Sequence, residues 1–288
     1  MKEKISGKDY TLISSMLFGM FFGAGNLIFP LILGAKAGKD MPLALLGMLV
    51  SAVGFPLLGI ISMGISKSEG LLDMAGRVSK GFAYFFTCAL YLTIGPLFAI
   101  PRCGATSFAV GFAPLSGEHK TLFQLIFTLL FFAAVLIFSL RPSKITDTVG
   151  KWLNPIFLLL LSVLVFAVLL RPANGVSQVP VSEDYARGAV FSGFLQGYDT
   201  LDVLASLAFG IIVINVIRGY GVENPSDIAK STVKSGVFSM ILMTAIYAGI
   251  AIVGFTQTAF QIPTSPEATP FRLSPSTISA GRGLSFSP

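Results

Sequence analysis

The chain has 288 residues, of which 53% are hydrophobic and 12% charged, and its mean hydropathy is +0.80. A soluble globular protein carries about 25% charged residues, so this composition excludes an ordinary cytosolic enzyme, a nucleic-acid binder and a disordered scaffold. Twenty Lys and Arg against 14 Asp and Glu leave a net charge of +6. That excess fits basic loops on the cytoplasmic side of a membrane, and the positions of the charges bear this out below.

Charge-free windows follow one another along the chain: Tyr10 to Ala35, Met41 to Ser66, Gly81 to Pro101, Cys103 to Gly117, Thr121 to Leu140 and Trp152 to Leu170. Gly188 to Ile217 holds only Asp199 and Asp202, and Ser235 begins a last apolar run that ends at Phe255. A helix needs about 20 apolar residues to cross a bilayer. The windows therefore predict an all-α integral membrane protein with seven transmembrane helices, at about 10–35, 41–66, 82–112, 121–140, 152–170, 188–217 and 235–255. The first window is too long for a cleaved signal peptide and carries Asn26 and Pro30 where small residues would precede a cleavage site. Trp152 opens its window as an interfacial anchor would.

With the N-terminus inside, the cytoplasmic segments hold 12 of the 20 Lys and Arg residues, and the outer connections hold five: Lys36, Lys39, Lys120, Arg171 and Arg187. The bias predicts a cytoplasmic N-terminus. Residues 256–288 change character: Ser, Thr and Pro supply 16 of 33, with no apolar run, and this reads as a disordered tail outside the 1–255 transmembrane domain. Two cysteines and one histidine exclude a disulfide framework and any metal site of that kind. Cys88 and Cys103, in one apolar stretch, are expected as small buried hydrophobes, and His119 as a solvated loop residue.

Two of the predicted helices are interrupted. The first carries Gly19, Gly23, Gly25, Asn26 and Pro30 within a dozen residues, and each Gly costs a helix about 1 kcal/mol and Pro about 3. Unwound backbone survives in a membrane only against protein or a water-filled cavity. Gly19 and Gly23 also match the small-residue spacing of close helix packing, but a polar Asn between glycine and proline is more than packing requires. The sixth helix carries Gly193, Gln196, Gly197, Tyr198, Asp199, Thr200 and Asp202. Its two carboxylates share a helical face and must point inward, since each costs at least about 2.5 kcal/mol at the bilayer centre. Gly23 lies about 20 Å along the first helix and Asp199 about 17 Å along the sixth, by the helical rise, so both breaks fall near mid-membrane. The two helices cross in opposite senses. Such a pair marks the binding site of a secondary transporter.

The chemistry follows from the groups. Half-helix N-termini offer N–H donors and partial positive charge to a carboxylate, which assigns the substrate to Phe22, Gly23, Ala24, Gly25 and Asn26, with Tyr198 beside Phe21 and Phe22 as an apolar wall. Oxygens of Gly19, Phe22, Asn26, Thr200, Asp199 and Asp202 are the candidate ion ligands, and Na⁺ and H⁺ both remain open as coupling ion. No other cofactor is expected. In the third helix, Pro96 and Pro101 predict a kink. Arg102 after them reads either as snorkelling to the outer face or as a gate against Asp199 or a substrate carboxylate.

The runs Phe18 to Pro30, Gly95 to Arg102 and Gly193 to Asp202 together resemble the bacterial branched-chain amino acid:cation symporter family. The resemblance covers residues 1 to about 255. It implies a multi-pass inner-membrane carrier that takes leucine, isoleucine and valine with Na⁺ or H⁺, partnered by lipid, without nucleic acid, enzyme activity or an obligatory protein partner. Gly25-Asn26 with Phe29-Pro30 is also similar to the unwound first helix of neurotransmitter:sodium symporters, which implies a leucine-transporter-like five-plus-five inverted repeat with broken helices 1 and 6. Ile28 stands where those symporters commonly carry arginine, so an outer gate built on that position does not carry over. Members of the carrier family are longer. Beside the carrier reading stands the alternative of a truncated or frame-shifted, non-transporting fragment.

Overall fold

A computed structural model describes residues 6–66, 68–140, 154–170 and 181–256. Trp152 and the tail beyond Thr256 lie outside the described residues. The regular elements of the described part are all helices: α1 Gly7–Phe21, α2 Ala24–Ala37, α3 Met41–Leu49, α4 Phe55–Ser66, α5 Leu71–Gly76, α6 Lys80–Leu92, α7 Ala99–Gly111, α8 Lys120–Ser139, α9 Asn154–Leu170, α10 Glu183–Ala186, α11 Ala189–Tyr198, α12 Asp202–Gly219 and α13 Pro225–Thr256. Five helical stretches are long and apolar enough to cross a membrane: Ala24–Ser66, Lys80–Gly111, Lys120–Ser139, Asp202–Gly219 and Pro225–Thr256.

Local chemistry sets the boundaries. Ser6 and Asp9 form a capping box at the start of α1: the Asp9 N–H donates to the Ser6 hydroxyl, and the Ser6 N–H to the Asp9 carboxylate. Between α3 and α4 the chain makes a π-turn, Val50–Gly54, just ahead of Pro56, which lacks the N–H a regular helix would use there. The third span bends as its prolines predict. A π-turn at Thr93–Leu97 contains Gly95 in a non-helical conformation, and Pro101 falls in the first turn of α7, where a missing N–H costs nothing.

The helices group into two sets. α1, α2, α3, α4, α11, α12 and α13 pack on one another, and their buried side chains form one core that includes Leu17, Phe18, Leu33, Met48, Ile60, Met63, Val213, Ile217 and Met243. Two seams in this set bring backbones together. A Cβ at Gly193 would lie 1.8 Å from the Ala44 carbonyl oxygen, and one at Gly47 1.9 Å from that of Val190, which joins α11 to α3. Gly34 faces Ala251, and Gly254 faces Leu31, at 1.9 and 2.1 Å, which joins α2 to α13. Small residues at such seams let van der Waals contact hold helices together without a hydrophobic driving force.

The second set is α6, α7 and α8. α7 touches α8 and α2, and no residue of α8 is buried. Phe85, Leu97 and Leu130 are each more than two-thirds exposed. An apolar surface of that extent is the surface of a protein bathed in lipid. Cys88 belongs to it: it is exposed on α6, and Cys103 is only half-buried, which corrects the expectation that both are buried. The reason is that α6 packs on few neighbours and turns most of its sides outward. His119 ends a short 3₁₀ turn and is exposed.

Candidate functional site

The helical pair α1 and α2 is separated by Phe22 and Gly23, both extended, with φ/ψ of −72/106° and −121/−173°. Asn26, in the first turn of α2, reaches back so that its Oδ1 accepts the Gly23 N–H at 2.8 Å. α11 and α12 are separated by Asp199, Thr200 and Leu201, and Leu201 adopts a left-handed φ of 68°. The Thr200 hydroxyl donates to the Gly197 carbonyl at 2.8 Å and accepts the Asp202 N–H at 3.4 Å, so one side chain serves both helix ends.

The two breaks meet. Asn26 Nδ2 donates to Asp202 Oδ2 at 2.6 Å, joining the first turn of α2 to the first turn of α12. Tyr247 of α13 donates its hydroxyl to the same Oδ2 at 2.7 Å and accepts a bond from Asn26 Nδ2. Asn26, Asp202 and Tyr247 are 1%, 2% and 0% exposed. A carboxylate buried this deeply persists because donors converge on it and two helix N-termini present partial positive charge. No described residue donates to Asp202 Oδ1.

Arg102 approaches from α7. Its Nη1 donates to the Asp199 carbonyl at 2.7 Å and its Nη2 to the Thr200 carbonyl at 3.4 Å. Its guanidinium lies 5.5 Å from the Phe29 ring and 5.2 Å from the Phe98 ring, within cation–π range. The side chain is thus held at the second break. It bonds the Asp199 backbone and not its carboxylate, and among the described residues no ion pair joins the two.

A cavity of about 310 Å³ lies at this junction. Its lining includes Gly23, Ala24, Asn26, Arg102, Thr200 and Asp202 together with the apolar Ile94, Ile100, Phe131, Val135 and Phe209. The structure thus brings together Gly23, Ala24, Asn26, Thr200, Asp202 and Arg102 of the expected set. Gly25 stands just behind, where a Cβ would lie 3.0 Å from Arg102 Nη2.

Four expected residues fall elsewhere. Gly19 abuts Asn154, and a Cβ there would lie 2.0 Å from Asn154 Nδ2, which donates to the Ser15 carbonyl at 2.8 Å. Gly19 is therefore the close-packing glycine of the α1–α9 contact, because α9 needs that room. The Phe22 ring packs between Phe18 and Phe157, with centroids at 5.1 and 5.0 Å, and Phe21 lines the cavity instead. Tyr198, the last residue of α11, is 49% exposed; the turn that follows points it outward. Asp199 is likewise exposed.

Tyr247 was not singled out in the sequence. Its signal was one of two hydroxyls, with Thr244, in the apolar run from Met240 to Phe255. A buried tyrosine hydroxyl finds a partner, but the sequence does not say which. The apolar wall on α7, α8 and α12 was also missed, since its residues look like every other lipid-facing one.

A family model described as "Branched-chain amino acid transport protein" matches residues 6–269. The chain belongs to the branched-chain amino acid transport protein family. Within it, the chain is 51% identical over 256 residues to the branched-chain amino acid permease BrnQ of Lactobacillus delbrueckii subsp. lactis, covering 88% of this chain and 57% of that protein. It is 42% identical over 261 residues to the branched-chain amino acid permease BraB of Bacillus subtilis (strain 168), covering 90% and 58%. It is 37% identical over 251 residues to the branched-chain amino acid transport system 3 carrier protein of Pseudomonas aeruginosa, covering 87% and 56%. The chain therefore spans somewhat more than half the length of these family members. They are named as permeases and carriers, not as enzymes. No solved structure matches the chain. Family membership and the apolar helices make this a multi-pass membrane protein.

Proposed function

We propose that the chain carries a substrate and coupling-ion site of a symporter for leucine, isoleucine and valine, driven by Na⁺ or H⁺ across a bacterial inner membrane. In this reading the N-terminus is cytoplasmic, and seven spans form the first part of a five-plus-five inverted repeat. The observation that carries it is the meeting of two interrupted spans, through Asn26 and Asp202, beside a cavity lined by both polar and apolar residues. That lining matches an amino-acid zwitterion with a branched apolar side chain, and the names of the relatives support the substrate class.

The residues divide the work by their chemistry. The N–H groups of Ala24 and Gly25 at the start of α2 take the carboxylate, with Asn26 bracing the turn they sit on through the Gly23 N–H. Ile94, Ile100, Phe131, Val135 and Phe209 surround the aliphatic side chain. Asp202 Oδ1 and the Thr200 hydroxyl oxygen receive the coupling ion: an oxygen pair of this kind suits Na⁺, and the carboxylate alone suits H⁺. Alternating access then has a physical basis. The α1–α4, α11–α13 set moves against the α6–α8 set, with the cavity between them and the two breaks as the deformable points.

Reconstitution tests the reading. Proteoliposomes containing the chain and loaded with unlabelled leucine should accumulate labelled leucine by counterflow, and an imposed gradient of the coupling ion should stimulate uptake. Stimulation by Na⁺ at constant pH identifies sodium; stimulation by an inward pH gradient without Na⁺ identifies the proton. Absence of leucine counterflow from folded chain overturns the proposal.

A further inference from the structure

We propose that Arg102 reads the substrate's α-carboxylate and so restricts the cavity to ligands that carry one. The inference rests on the symporter reading above and adds a specificity residue to it.

Three observations carry it. The first is position: Arg102 lines the cavity that also holds Ala24, Asn26 and Asp202. The second is unused bonding capacity. The guanidinium is wedged between the rings of Phe29 and Phe98, and Nη1 is well engaged by the Asp199 carbonyl at 2.7 Å. Nη2 makes only a long 3.4 Å bond to the Thr200 carbonyl, and Nε is buried without any acceptor. Nε has no accessible surface here, so a ligand's acceptor meets it only once the guanidinium turns off the weakly held Thr200 carbonyl; a buried, charged donor without a partner is costly, which favours that exchange. The third is the shape of what is left over. Nε and Nη2 form one edge of the guanidinium fork, the kind of edge a carboxylate takes with two parallel bonds.

That edge borders the start of α2. A Cβ at Gly25 would stand 3.0 Å from Nη2, so glycine at this position lets the arginine lie against the first turn of the helix. The first-turn N–H groups there lack helical partners and share the positive end of the dipole. Asp202 lines the same cavity, where its Oδ1 is the oxygen assigned above to the coupling ion. Arg102 thus brings positive charge to a ligand carboxylate in the cavity. When a carboxylate engages the free edge, the weak Thr200 bond is the one to yield, which couples binding to the second break.

The test uses the 288-residue chain in nanodiscs, with equilibrium binding of labelled leucine and competition by leucinamide and leucinol, which lack the carboxylate. The wild-type chain should prefer leucine over leucinamide by roughly 100-fold, as two charge-assisted bonds imply. In Arg102→Gln, leucine should weaken by roughly 10- to 100-fold while leucinamide changes little, so that the preference collapses. Arg102→Lys, which keeps the charge but cannot form the fork, should lie between, and it decides the matter if the glutamine variant does not fold. Equal loss for both ligands, or a preference unchanged in either variant, overturns the assignment of Arg102 while leaving the symporter reading intact. A wild-type chain that binds no leucine overturns both.

Discussion

The two helix breaks do the same job by different means. At the first, Phe22 and Gly23 take extended conformations open to ordinary residues, and the turn is sealed from within its own helix by the Asn26 side chain. At the second, a leucine sits at φ 68°, a conformation that costs an L-residue roughly 1–2 kcal/mol. The turn is held by the Thr200 hydroxyl, which bonds Gly197 and Asp202, and by Arg102 from a different span on the carbonyls of Asp199 and Thr200. The first break is a property of its own segment; the second is imposed by the tertiary structure around it. A break imposed from outside can be altered by whatever changes the outside contacts, and the cavity lies against those contacts.

The contrast can be broken most severely at the helix that leads into the second break. Gly193→Ala would drive a Cβ to within 1.8 Å of the Ala44 backbone, where neither side can yield by rotating a side chain. We expect a loss of about 3 kcal/mol, near the upper end for overpacking, read as a lowered thermal midpoint in detergent. A thermal midpoint within a degree of wild type would mean that the α3–α11 seam is looser than its geometry states.

A smaller effect is expected where the breaks meet. Asn26→Ala removes the seal on Gly23 and the bonds to Asp202 and Tyr247. At about 0.6 kcal/mol for each hydrogen bond in a membrane protein, the loss is about 2 kcal/mol, and leucine uptake should fall much further than stability does. Equal leucine uptake by the variant and the wild type would show that the first break needs no seal.

The smallest change in stability is expected from Leu201→Gly. Glycine relieves the left-handed strain but adds freedom to the unfolded chain, so unfolding free energy should move by less than about 1 kcal/mol. Its diagnostic reading is hydrogen exchange: the amides of residues 199–203 should exchange faster while those of 22–26 stay as they were. Faster exchange at both would mean the breaks are one cooperative unit and not two.

How far these features were legible in the sequence follows the same division. Glycines, Asn26 and Pro30 announce the first break because they disfavour helix wherever they stand. The paired acids Asp199 and Asp202 announce the second only by their cost in a membrane, and nothing marks Leu201 as its strained residue. Asp202 and Asn26 were readable as partners by their depth, but Tyr247 was not, since a tyrosine in an apolar run fits either a core or an interface. Arg102 illustrates the limit most plainly: its side chain can reach water or the neighbouring span, and only the arrangement of α7, α11 and α2 decides between them. Gly19 shows the converse, because a glycine that makes room for Asn154 looks the same in the sequence as one that bends a backbone.

The glycine seams have a mechanical meaning. Where backbone lies against backbone, as between Gly34 and Ala251 or between Gly193 and Ala44, there is no compressible layer of side chains, and two helices behave as one welded beam. Load applied to α2 is carried into α13 without slack, and load on α11 into α3. Compliance is then concentrated at the unwelded joints, residues 22–23 and 199–201, so that a push at either end of a beam is delivered as rotation at the two breaks that border the cavity.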